Sequence, residues 1–138
     1  MSKIDAKNAN KVLAWIEDEL GLTLTKTPKV EAFVRRAVQA FIDNEDLNMV
    51  IVGPRGGGKT FGVSAIETTA WRWFEFEWQN VGGSLKQAQQ CYEYLRRYCH
   101  EMSSVKEFVQ GETTMSETKS VTGNKVMVSA ASPTSVRG

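Results

Sequence analysis

Residues 53–60 read Gly-Pro-Arg-Gly-Gly-Gly-Lys-Thr and match G-x-x-x-x-G-K-[S/T] at every fixed position. A loop of this kind works only between a buried strand and the first turn of a helix, so it restricts the whole architecture. Its glycines let the backbone bend until successive N–H groups face one concavity, where the oxygens of a polyanion fit. Lys59 is suited to meet the β- and γ-phosphates as a point charge, and the Thr60 hydroxyl to ligate the Mg²⁺ that accompanies a nucleoside triphosphate. Gly53, Pro54, Arg55, Gly56, Gly57, Gly58, Lys59 and Thr60 are therefore the candidate nucleotide-binding residues, with Thr60 also the candidate metal ligand. Arg55, inside the loop, is in addition a candidate contact for the γ-phosphate region, against the alternative of a solvated loop arginine. Thr60 is expected to open a helix whose positive end adds to the anion site.

The flanking sequence supplies both required elements. Residues 47–52, Leu-Asn-Met-Val-Ile-Val, form a short apolar run suited to a buried parallel strand, and residues 61–74 lack proline and contain one glycine, Gly62. Upstream, Ala9, Val12, Leu13, Ile16 and Leu20 recur at helical spacing, with Gly21 as the stop. Thr27 and Pro28 are expected to start a second helix whose apolar face comprises Val30, Phe33, Val34, Ala37, Val38, Phe41 and Ile42. Arg35, Arg36 and Gln39 fall off that face, and the polar cluster 43–46 ends the helix.

Downstream, residues 76–81 alternate in the manner of a strand, and 82–84, Gly-Gly-Ser, turn the chain. Ser84 is placed as an N-cap, with Gln87 completing a capping box for a helix that buries Leu85, Ala88, Tyr92, Leu95, Cys99 and Met102. Residues 114–121 and 125–130 are expected to form a hairpin around Thr122-Gly123-Asn124. Together these elements predict an α/β fold, an incomplete P-loop NTPase domain. It divides into an N-terminal helical segment, 1–46, packing on the sheet, and the N-terminal part of the ATPase domain, 47–138.

The 138 residues carry 17 basic and 16 acidic side chains, a formal net charge of +1, so no global field recruits nucleic acid or membrane. The apolar runs are too short to span a bilayer and residues 1–5 are polar, which leads us to expect a cytoplasmic protein with no membrane partner. Cys91 and Cys99, eight apart on one predicted helix, suit neither a mutual disulfide nor a zinc site, and are expected to be reduced thiols.

Hydrolysis at a phosphate loop requires a second, acidic site, an apolar strand ending in Asp. No aspartate follows Asp46, and Glu67, Glu75, Glu77, Glu93, Glu101, Glu107, Glu112 and Glu117 do not follow such a strand. The expectation is a domain truncated before its acidic strand, able to bind nucleotide and poor at turning it over.

From residue 30 onward the sequence resembles the N-terminal part of the ATPase domain of phage terminase large subunits. The resemblance rests on the helix leading into the strand, the phosphate loop with its internal Arg55, the turn Gly82-Gly83-Ser84-Leu85-Lys86-Gln87-Ala88, and the hairpin followed by Ser135-Val136-Arg137-Gly138. It implies ATP as the nucleotide, and a motor that couples ATP hydrolysis to moving double-stranded DNA into a procapsid. The implied partners are a small terminase subunit, a portal protein and further copies of the chain. Arg137, in the small Arg-Gly turn, becomes a candidate arginine finger for a neighbouring subunit's nucleotide. The adenine-contacting glutamine of that family has no counterpart, since Gln39 falls within a helix. Two other readings stand beside this one: part of another phosphate-loop ATPase such as a helicase, and a small stand-alone nucleotide-binding or interaction protein.

Trp71, Trp73, Phe74, Phe76 and Trp78 are expected to fill the core rather than stack on bases, because acids interleave them. Arg35-Arg36, Arg96-Arg97 and His100 are expected on solvated faces.

Overall fold

The periodicities resolve into a mixed α/β arrangement, seen in a computed structural model that describes residues 4–21, 23–49, 59–82 and 85–130. Helix α1 (Ala9–Leu20) begins at Asn8, whose side chain accepts from the Asn10 and Lys11 amides, and ends at Gly21 in the left-handed region, φ 72°. Helix α2 (Pro28–Ile42) follows a 3₁₀ turn, Leu24–Lys26. Pro28 sits in its first turn, but Thr27 does not cap it as expected. The Thr27 hydroxyl donates instead to the Thr23 and Leu24 carbonyls, closing the preceding turn.

Helix α3 (Lys59–Trp73) starts at the lysine of the phosphate-loop consensus. It is the central helix: Gly62 and residues 64–72 are all buried, because α1, α2, α4 and the strands surround it. Several of its polar side chains bond within the fold, whereas the buried Thr69 hydroxyl has no hydrogen-bond partner among the described residues. Ser64 Oγ donates to the Phe61 carbonyl (2.7 Å) and Thr68 Oγ1 to the Ser64 carbonyl (2.8 Å).

Strand β1 (Glu77–Gly82), helix α4 (Leu85–Glu101), a short helix α5 (Ser103–Lys106), and strands β2 (Glu117–Lys119) and β3 (Lys125–Ala130) complete the described elements. The strand order is β1-β3-β2, with β1 parallel to β3 in the register Glu77↔Lys125 to Gly82↔Ala130, and β2 antiparallel to β3. Parallel neighbours need a long crossover, and α4 provides it while packing on both β1 and β3. One sheet face carries Trp78, Asn80, Thr118, Val126 and Val128 inward; Glu77, Gln79 and Val81 point outward.

The first hairpin strand spans 117–119 rather than 114–121, because the Thr114 hydroxyl accepts from the Ser116 and Glu117 amides and turns the chain before the ladder begins. Residues 47–49, expected in the loop strand, have no regular secondary structure, and 50–52 lie outside the described residues, as does Ser84 of the capping box. Helix α5 has no counterpart in the sequence reading. Its Ser104 joins two helices: the hydroxyl accepts from Trp15 Nε1 (3.3 Å) on α1, and the carbonyl from Arg72 Nε (2.8 Å) on α3.

The aromatic run is only partly inside: Trp71 is buried, Trp73, Phe74 and Trp78 are half-buried, and Phe76, expected in the core, is exposed at the rim of its contact with Phe41. Trp71 is fully buried against Phe108, Trp73 meets Trp15 edge to face at 5.6 Å, and Phe74 and Phe76 pack on Phe41 of α2. Arg35 and Arg36 lie exposed, paired with Glu31 and Glu45. The cysteines are free thiols, as expected.

Candidate nucleotide site at the start of helix α3

Of the residues assigned to the phosphate site, Lys59 and Thr60 fall on described backbone, as the first two residues of α3. Gly53, Pro54, Arg55, Gly56, Gly57 and Gly58 lie outside the described residues, as does Arg137. Thr60 is exposed and lines a cavity of about 320 Å³ whose other described walls are Gln90, Glu93, Tyr94 and Arg97 of α4. These four recur at three- and four-residue intervals and so form one stripe of α4, laid along the opening turn of α3.

The stripe is ordered by its own contacts. The Tyr94 ring packs on Phe61, the residue after Thr60, with centroids 4.6 Å apart. Arg97 places its guanidinium over the Tyr94 ring, 5.0 Å from the centroid. Glu93 is held by Arg96, Nη1 to Oε1 3.2 Å, and Arg96 also reaches Thr113. The local sum over Glu93, Arg96 and Arg97 is one positive charge, and the amide end of α3 adds to it. Such a cavity favours an anion.

Thr60, with its exposed hydroxyl, fits the part of a single protein ligand to Mg²⁺ brought by a nucleotide. Among the described residues no group of three or more His, Cys, Asp or Glu side chains is arranged to hold a metal by itself. His100 is exposed, with Thr113 Oγ1 at 3.4 Å from its Nε2.

The interior of α3 holds an acid that was not among the candidate site residues. Glu67, two turns along α3 from Thr60, is fully buried. One oxygen accepts from Asn80 Nδ2 of β1 at 2.6 Å, the other from the Cys91 thiol of α4 at 3.1 Å. Burial pushes its carboxyl up to about 7, with the two hydrogen bonds opposing the shift. The same burial, with Glu67 beside it, pushes the Cys91 thiol far up, so it stays protonated as a donor. Cys99 and Tyr92, next along α4, are each pushed up to about 12, first by burial.

Glu67 was invisible in the sequence because a lone acid inside a helical run reads as surface. Which face of α4 meets α3 was not legible in the sequence; Arg97, expected on a solvated face, is exposed, and it lines the cavity beside Thr60. No helix among the described residues is long and apolar enough to cross a membrane. Compared with known proteins, the chain matches no family model, no curated protein and no solved structure.

Proposed function

We propose that this chain is the ATP-binding portion of a phage terminase large subunit, the motor that couples ATP hydrolysis to packaging of double-stranded DNA into a procapsid. One observation carries the reading: the complete phosphate-loop consensus runs directly into the first turn of α3, where Thr60 opens onto a positively biased cavity. Its support within phosphate-loop proteins is the order of parts, with α2 before the loop and β1, the 82–88 turn, α4 and the hairpin after it.

In this reading the loop amides and Lys59 hold the phosphates of ATP, and the Thr60 hydroxyl holds Mg²⁺, which neutralises charge on the β- and γ-oxygens when bound. Arg55 and Arg137 remain candidate contacts for the transferred phosphoryl group. The small terminase subunit, the portal protein, DNA and further copies of the chain are partners of the whole motor.

Titration of the purified chain with fluorescent ATP and Mg²⁺ tests the binding claim. The chain should bind, Lys59→Ala should weaken binding at least about tenfold, and turnover should be negligible, because no aspartate follows Asp46. Absence of saturable binding overturns the reading. Rapid hydrolysis lost in Lys59→Ala would show instead that the acidic site is supplied from within these residues.

A further inference from the structure

Two arginines stand side by side on α4, and their surroundings differ. Arg96 bonds Glu93 and Thr113. Arg97 faces the cavity at Thr60 and, among the described residues, has no carboxylate partner; its contact there is the face of Tyr94. That ring is itself fixed by Phe61, the next residue after Thr60. The start of α3 is thus linked to the guanidinium through two contacts, the tilted ring pair Phe61–Tyr94 and the Arg97 guanidinium over Tyr94. A planar guanidinium on an aromatic face keeps all five N–H donors free at its edges and loses little freedom on taking a bidentate acceptor.

We propose that Arg97, positioned by Tyr94, is a second cationic contact for the polyphosphate bound at the start of α3. The proposal rests on the phosphate-loop reading and adds to it a residue from a different element. The charge arrangement accounts for the division of labour between neighbours. Glu93 would otherwise neutralise this wall, and Arg96 occupies it, leaving Arg97 uncompensated beside Thr60. Arginine rather than lysine fits the role, because phosphate oxygens accept the paired N–H groups of its fork, and because stacking on Tyr94 needs a plane.

The test compares Mg·ATP and inorganic triphosphate binding by the whole chain and its variants, with thermal melts run in parallel. Arg97→Ala is expected to weaken both ligands about 5- to 30-fold, Arg97→Lys to recover part of the loss, and Tyr94→Leu to weaken binding in the same direction as the guanidinium loses its seat. The melting temperature of Arg97→Ala should stay near wild type, since the side chain is exposed. Arg35→Ala, a distant exposed arginine on α2, should leave binding unchanged. If Lys59→Ala abolishes binding and Arg97→Ala binds like wild type, the Arg97 assignment is wrong and the phosphate-loop reading survives. If the wild-type chain binds neither ligand, both fall together. Equal losses in Arg97→Ala and Arg35→Ala would also overturn it, by showing only a response to net charge.

Discussion

Glu67 is a carboxyl in the middle of the fold with neutral partners, Asn80 and Cys91, and no cation against it among the described residues. Its carboxyl, ordinarily near 4.5, is raised to about 7 by burial. Below the ordinary value it is protonated in both folded and unfolded chains, and its contribution to stability is fully present. As pH rises through about 7, the unfolded chain has already released the proton and the folded one resists, so stability is lost. The total is on the order of 3 kcal/mol. Urea unfolding at pH 5 and pH 8.5 should show that fall, and Glu67→Gln should flatten it, leaving the variant the more stable protein at the higher pH. A second buried side chain has a different task. Asn124, at the hairpin turn, donates through Nδ2 to the carbonyls of Trp71 and Phe74 at the end of α3, and its Oδ1 accepts from the Phe76 amide. Replacing it with Ala orphans those groups and should cost about 2–4 kcal/mol, read as a lower denaturation midpoint; an unchanged midpoint would mean that water replaces the side chain without penalty. Thr122-Gly123-Asn124 was legible as a turn from residue types alone. That the turn's last residue also closes the end of a helix, bonding carbonyls fifty-three and fifty positions earlier, was not, since only the tertiary fold brings them together.

Among the elements, the contact between α2 and α3 depends on Gly62. A Cβ built there would lie 2.2 Å from Phe33 Cζ, 2.5 Å from Cε1 and 3.0 Å from Val30 Cγ1. Alanine is intrinsically better than glycine in a helix by about 1 kcal/mol, yet overpacking of this kind costs about 1–3 kcal/mol. Gly62→Ala should therefore be destabilising on balance, by about 1 kcal/mol, and Phe33→Leu in the same chain should restore part of the loss; a stabilised Gly62→Ala would mean that the Phe33 ring swings away freely. The long elements were the legible ones. Helix α1 and strand β3 have the expected bounds, and α2 runs from Pro28 into the polar cluster that stops it. Strand β2 was over-read because Thr114 and Ser116 have β-favouring neighbours but bond locally. Helix α5 escaped notice because four residues are too few to show a period. For α3, the absence of proline gave the helix but not its centrality, since a helix lined with Ser, Thr and Glu does not look like a core.

For the molecule as a whole, the candidate site was legible to the extent that its chemistry resides in a contiguous motif. Thr60 is given by the pattern, whereas Gln90, Glu93, Tyr94 and Arg97 reach the same cavity only through the packing of α4 on α3. Parallel pairing of β1 with β3 has a further consequence, for the order in which the chain folds. Every pair in that ladder joins residues forty-eight apart in sequence, while the helices and the hairpin close over short separations. Loop closure of that span is an entropic cost met before any ladder bond forms. The helices and the β2–β3 hairpin are therefore the early structures, and β1 joins once α4 has folded between them. Until it does, the edge of β3 that faces β1 is open to a strand from any other chain, so the slow step of folding is also the step most exposed to misassociation.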